Sequence, residues 1–587
     1  MITTISLLAL AGISILQPGL QNNKSAGAWD EKPVVKTDAG KALHDYLSAT
    51  VPFGFSGSAL AVKDGEVILA QGYGIANREK SIPFSVDTVI ETGSITKQFT
   101  AAAILKLEEA GKLKTTDLIS TYFKDVPPDK ATIMIHHLLT HGSGLRSDFA
   151  EGDYVPVGRE EYVKRALEST LLFKPGKGYE YSNAGFSLLA AIIEMVTGDS
   201  YEKYLYKALF EPAGMKRTGY CLPKWSASEI ACGYRNGVAW GIPNEKPWAP
   251  DGPYWALRGN GGILTTLSDM LKWHRALLND SVLTKPSREK MFTRHNPEPG
   301  SDGAYGYGWV IDKTPRGTTL IHHDGGNMVF ACDFYRYVDE GAALILASNN
   351  AELSVIRLAP NLTQILWGRK LELPPKVLAL DPASTRDRVG TYQFASGEKF
   401  EVAHRDSGIV ITTSSPAIRA MLNGVTPERA QPHAELPARI VNMVKQASEG
   451  NYRPYFDAFD GQMPLAQIEG AEKDMWRSWT EKNGKFKDAS AVISEIRPVI
   501  VRTEVTLQFE KGNVTLWMGW ENGILVDIEM EGPAQPPRFY PVSLSDFVSW
   551  SPRMGAQTKI RFERLDGGKI QFRVVGGGEP VATKIKQ

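Results

Sequence analysis

The chain has 587 residues, of which 42% are hydrophobic and 22% charged, an ordinary globular composition too long for a single hydrophobic core. Lys plus Arg equals Asp plus Glu, so no basic field exists to attract nucleic acid or an anionic membrane surface. Three cysteines are too few for a disulfide framework, although Cys221 and Cys232 could pair in an oxidising compartment.

In chain order, Met1 to Ala28 carries an apolar run (Ile5 to Ile15) and an Ala26-Gly27-Ala28 site, which reads as a cleaved secretory signal without the usual basic start. A periplasmic or secreted location is expected. No later stretch approaches the roughly 20 apolar residues of a membrane span. Ser58 to Val62 and Val67 to Tyr73 flank Lys63-Asp64-Gly65-Glu66 and predict a β-hairpin.

Ser94-Ile95-Thr96-Lys97 then opens an apolar helical stretch that Gly111 stops. Three residues apart on a helix, Ser94 and Lys97 share a face, and the amine can reach the hydroxyl. A serine is a poor nucleophile until a neighbour takes its proton, and a lysine can do so only when burial depresses its pKa. The same S-x-x-K spacing recurs at Ser200, Ser287 and Ser396, in a charged helix, a polar turn and a hairpin-like loop. Only Ser94 begins a buried helix.

His137 and His141 lie four apart, but Leu138 stands where H-E-x-x-H needs a glutamate, so capping or packing is expected rather than metal binding. Tyr181-Ser182-Asn183 follows. Trp240, Trp248, Tyr254 and Trp255 either line a substrate or fasten a long loop. Strand patterns return at Gly308 to Ile311, Thr319 to His322, Val329 to Tyr337 and Ala342 to Ala347, with His323-Asp324-Gly325 beside the second. The helix Leu353 to Trp367 closes this region.

These motifs together resemble the serine penicillin-recognising enzymes, nearest to class C β-lactamases and their D-aminopeptidase, DD-peptidase and esterase relatives. The segments His136 to Leu145, Phe173-Lys174-Pro175-Gly176, Gly261-Gly262-Ile263 and Gly306-Tyr307-Gly308-Trp309 extend the likeness over roughly residues 40 to 370. The resemblance implies Ser94 as acylated nucleophile with Lys97 and Tyr181 as proton carriers. It leaves open which of the two takes the serine proton, and a cationic Lys97 and His323 are expected to favour the Tyr181 phenolate. It also implies Asn183 as a substrate-amide partner, an oxyanion hole from the backbone of Ser94 and Gly326 beside Gly325, and His323 in place of the lysine that attracts a substrate carboxylate in many β-lactamases. No cofactor or metal is implied.

The expected architecture is α+β. A β-lactamase/transpeptidase-like domain over 36–372, an antiparallel sheet with flanking helices and a helical subdomain, precedes a lipocalin-like β-barrel over 380–425 and 536–587. A small α+β domain over 435–532 is inserted into the barrel. The expected function is hydrolysis, through an acyl-enzyme, of a small amide, D-amino-acid peptide or ester. The rivals are a β-lactamase or peptidoglycan DD-peptidase, and a non-catalytic binding protein that keeps the fold. The expected partner is a small-molecule or short-peptide substrate, and the oligomeric state is not legible.

Overall fold

The computed structural model describes residues 33–587 except 151, 406, 461–464, 498, 530–535, 553–554, 577–580 and 587, so the signal-like segment lies outside the described residues. The first half is built on helix α1 (Thr37–Thr50), strands β1 (Gly57–Lys63) and β2 (Glu66–Tyr73), and helices α2 (Thr96–Glu109) and α3 (Asn183–Thr197). Strands β3 (Val310–Lys313), β4 (Thr319–Gly326), β5 (Ala331–Tyr337) and β6 (Ala342–Ser348) and helix α4 (Val355–Leu366) complete it.

One antiparallel sheet runs in the order β2-β1-β6-β5-β4-β3, with Val34–Val35 added beyond β2 and Ala304–Tyr305 and Asn296–Pro297 beyond β3. The two ends of the region thus meet at the β1–β6 pairing, where Ala59 faces Leu346 and Ala61 faces Leu344. Alternation along these strands sends Leu60, Val62, Ala343 and Ile345 into the core that holds α2 and α3. Ala59, Ala61, Leu344 and Leu346 face the other core, under α1 and α4. Because both faces are covered, β6 reads as an unbroken apolar run.

The second half contains a closed eight-stranded barrel. Its strands come from Gly390–Phe394, Lys399–Arg405 and Gly408–Thr412, and then from Arg538–Pro541 through Val581–Lys586. Sequence patterns identify six of them; Gly408–Thr412 and Asp546–Ser551 are additions. Between the two groups lie helices, among them Leu436–Ser448 and Leu465–Asn483, and a four-stranded antiparallel sheet over Phe486–Glu529, which share a core of their own. Among the described residues no helix is long and apolar enough to cross a membrane.

Side chains fill the barrel. Tyr392 stacks on Phe400 at 5.3 Å, Phe572 lies 4.8 Å from Phe400, and Ile418 and Leu422 of the helix Pro416–Leu422 join the same cluster. The barrel meets the first half on the α1/α4 side, where the Tyr540 hydroxyl donates to the Phe53 carbonyl (3.0 Å) and Asn361 Nδ2 donates to the Pro552 carbonyl (2.6 Å). That is the sheet face opposite α2. Truncating the fully buried ring in Phe572→Ala should therefore lower barrel stability by about 3–5 kcal/mol while leaving the kcat of molecules still folded at assay temperature unchanged. Thermal unfolding beside steady-state kinetics checks this, and a kcat that falls below the folded fraction would contradict it.

Candidate active site

The nucleophile turn is a short 3-10 segment, Gly93–Ile95, that runs directly into α2. The segment 261–263 clamps it: the Thr92 amide donates to the Ile263 carbonyl (3.0 Å) and the Ile263 amide donates to Thr96 Oγ1 (3.2 Å). Lys97, one turn on, is fully buried. Its amine donates to Ser94 Oγ (2.9 Å), Asn183 Oδ1 (2.8 Å) and the Asn260 carbonyl (2.9 Å). At Ser287, by contrast, the lysine three residues on turns to Glu108 and Thr115.

Burial lowers the Lys97 pKa to about 7, against an opposing pull from Asp324, Asp153 and Asp148. A neutral amine here keeps two N–H bonds, to Asn183 and Asn260, and turns its lone pair to the Ser94 hydroxyl. The arrangement is that of a serine with a positioned base.

Tyr181 and Asn183 are set by a helix cap. Ser182 is the N-cap of α3, its hydroxyl accepting from the Gly185 amide (3.1 Å) and donating to the Arg146 carbonyl (2.8 Å). The Ser182 amide donates to His141 Nδ1 (3.0 Å), and the His141 ring lies 4.3 Å from both Tyr181 and Tyr305. Lys97 Nζ stands 4.8 Å over the Tyr181 ring, and the Tyr181 phenol hydrogen-bonds Ser94.

Here the structure corrects an expectation. Burial pushes the Tyr181 phenol above its usual range, and the bond to Ser94 offsets this only in part, so the group is a neutral phenol and not a phenolate. Burial thus acts on the two groups in opposite senses: it favours the neutral amine of Lys97 and the neutral phenol of Tyr181.

His323 is buried beside these groups. It is 4% exposed, its Nε2 is 2.8 Å from the Tyr305 hydroxyl, and its Nδ1 faces the Asp324 carbonyl. A carbonyl can only accept, so Nδ1 carries the proton and Nε2 accepts from Tyr305. Burial lowers the pKa to about 4, with Asp324 pulling the other way. The ring is thus neutral near pH 7 and offers no free N–H to a substrate carboxylate. It packs 6.3 Å from Tyr181 and positions the strand.

Pairing of β4 with β3 ends at His322, so the outer edge of residues 323–326 is left to the Ser94 turn. A Cβ on Gly325 would stand 2.0 Å from the Thr92 carbonyl oxygen and 2.9 Å from the Ser94 nitrogen. One on Gly93 (φ +51°) would stand 2.2 Å from the Gly326 nitrogen. Glycine at 325 is therefore what lets the strand and the turn touch, bringing the backbone of Ser94 and Gly326 close together.

Sequence reasoning missed Asn260, Tyr305 and the closeness of His141, which it read as packing or capping. His137 does cap, its Nδ1 accepting from the Met134 amide (3.2 Å). Of the aromatic loop, Trp240 packs against Tyr154 (5.7 Å) and Phe330 (6.0 Å), while Trp248 packs on Tyr220 and Trp255 on Arg258. Cys221, Cys232 and Cys332 are free thiols. Among the described residues no group of three or more His, Cys, Asp or Glu is placed to hold a metal ion.

The Beta-lactamase family model matches residues 54–363. Penicillin-binding protein 4* of Bacillus subtilis (strain 168) is 29% identical over 373 residues, 59% of this chain and 81% of that protein. The putative penicillin-binding protein PbpX of the same strain is 32% identical over 302 residues, 51% of this chain and 73% of that one. The octameric penicillin-binding protein homologue from Pyrococcus abyssi superposes with a TM-score of 0.51 at 21% identity, covering 93% of this chain and all of that one, a likeness of fold that extends into the second half. With its matched span covering more than half of its length, the chain belongs to the serine β-lactamase-like family of hydrolases.

Proposed function

We propose that this protein is a serine hydrolase that forms and hydrolyses an acyl-enzyme at Ser94, acting outside the cytoplasm on a small amide or ester, with D-amino-acid peptides as the favoured class. The observation that carries the reading is the buried Lys97 amine held on Ser94 Oγ at 2.9 Å with its pKa lowered to about 7. In acylation Lys97 takes the hydroxyl proton as the oxygen attacks the carbonyl, and the Ser94 and Gly326 amides donate hydrogen bonds to the developing oxyanion. As the bond to the leaving group breaks, Tyr181 gives its phenol proton to the departing amine or alcohol and takes back the proton held by Lys97, so both groups return to their starting states. Water then repeats the sequence on the acyl-enzyme in reverse.

For the substrate class, the third motif carries a neutral imidazole instead of a fixed cation. Three carboxyl groups lie near the nucleophile: Asp324, Asp153 and Asp148, in that order, act on the Lys97 charge. That electrostatic setting suits a substrate with a free ammonium group better than one anchored by its carboxylate. The rival is acylation by a β-lactam or a peptidoglycan DD-peptide, supported by the names of the two Bacillus relatives.

Mass spectrometry after incubation with a D-alanyl amide, a chromogenic cephalosporin and a short acyl ester separates these readings. The expected results are an acyl adduct on the peptide containing Ser94, none in Ser94→Ala, and faster turnover of the D-alanyl amide and ester than of the cephalosporin. An adduct that survives in Ser94→Ala removes the assignment of the nucleophile. A cephalosporin turned over fastest favours the rival.

A further inference from the structure

Glu91 takes no part in the proton transfers above, yet its side chain is 1% exposed and sits at the junction of three pieces of the site. It lies in the short strand Ile90–Glu91, opposite Leu264, two residues before the turn that carries Ser94. Glu91 Oε2 accepts from Asn327 Nδ2 (3.0 Å) and from the Tyr154 hydroxyl (3.3 Å), and the Cys332 thiol approaches the Glu91 carbonyl at 3.5 Å. Asn327 directly follows Gly326. Its own Oδ1 accepts from the Val329 and Phe330 amides (2.8 and 2.9 Å), which shapes the turn between β4 and β5.

We propose that Glu91 is a positioning residue: its carboxyl group clamps the β4–β5 hairpin, and with it the Gly326 amide, onto the Ser94 turn, and holds Tyr154 at the mouth. The inference rests on Ser94 as nucleophile. The physical case is that a buried carboxyl group is retained only with partners, and both partners here belong to segments that the oxyanion hole and the mouth depend on. Hydrogen bonds donated to a carboxyl oxygen fix the hairpin's height above the turn, which packing by Met328, 56% exposed, does not do. Burial raises the Glu91 pKa to about 7, with Asp153 adding to the rise and Asn327 and Tyr154 opposing it. Asp153 and Tyr154 from the mouth loop and Cys332 from β5 are the titratable groups that face it. Glutamine keeps an acceptor oxygen at this place whatever the pH; alanine removes it.

The test is the rate at which a fluorophosphonate labels Ser94, per folded molecule, in Glu91→Ala, Glu91→Gln, Asn327→Ala and the Glu91→Ala/Asn327→Ala double variant. Displacing one donor by a fraction of an ångström to an ångström should slow labelling by about 10- to 100-fold in Glu91→Ala and in Asn327→Ala. Glutamine should restore most of the rate, and the double variant should fall well short of the product of the two single losses, since both remove the Glu91–Asn327 bond besides contacts of their own. In turnover of an acyl ester the loss should fall on kcat more than on KM. A purely structural Glu91 would lower the melting temperature and leave the rate per folded molecule untouched, and that result overturns the proposal, as does multiplication of the two single losses in the double variant. Should Glu91→Ala not fold, Asn327→Ala and Tyr154→Phe report on the same clamp, and wild-type labelling in Asn327→Ala overturns it. Labelling that persists in Ser94→Ala marks failure of the nucleophile assignment instead.

Discussion

Replacing Lys97 by alanine should lower kcat/KM for a short acyl ester by roughly two to four orders of magnitude, the range for a lost general base. The loss should depend on pH. With the folded pKa lowered to about 7 by burial, the amine is mostly cationic below that pH, and an ammonium cannot accept the Ser94 proton. Wild-type kcat/KM should therefore rise about tenfold per pH unit below about 7 and level off above it. The variant should keep little of that limb. Tyr181→Phe should lose the proton relay but keep the limb, because its phenol stays protonated throughout. The Lys97→Ala/Tyr181→Phe double variant should be little worse than the poorer single, as for groups that act as a unit. Steady-state kinetics from pH 5.5 to 9 on the four proteins decides it. A pH-rate limb unchanged in Lys97→Ala would assign the base elsewhere.

What the sequence could reveal follows from which interactions are local. Ser94 and Lys97 are three residues apart on one helix, so their contact is legible from spacing, and the structure holds them at 2.9 Å. The Asn260 carbonyl that fixes the same amine is 163 residues away and is a backbone atom, which carries no side-chain signature. His141 was visible but read as packing; that it stacks on Tyr181 depends on how the loop before α3 returns to the helix Ile135–Leu139. A mostly neutral His323 near pH 7 is legible from its residue type; the further lowering by burial, with the ring 4% exposed between Tyr305 and a carbonyl, is not. At Tyr181, burial outweighs the opposing hydrogen bond to Ser94, and the Asp324 and Glu298 charges add to the rise. In the barrel, Gly408–Thr412 escaped notice because it is short and its pairing with Arg538–Pro541 spans the inserted helices and sheet. Local propensity cannot report a closure made over such a distance.

Gly325→Ala should reduce turnover more than any other glycine substitution in the strand, by about 10²- to 10³-fold in kcat, the scale for loss of an oxyanion donor. A methyl group there would stand 2.0 Å from the Thr92 carbonyl oxygen and 2.9 Å from the amide nitrogens of Ser94 and Ile95, closer than real Cβ atoms come to backbone. None of these atoms belongs to a flexible side chain, so the strand and the turn must part. The Ser94 and Gly326 amides then no longer bracket one point, and the transition-state charge loses donors that ground-state binding uses little; KM should change less than kcat. The fold should survive, since β5 still holds β4 along its other edge from Leu320 to Gly326. Gly158→Ala, where a Cβ would meet nothing within 4 Å, serves as the comparison and should keep the wild-type rate. Circular dichroism would verify folding and ester kinetics would give the two constants. A Gly325→Ala enzyme with wild-type kcat would mean that the contact between strand and turn does not shape the oxyanion site.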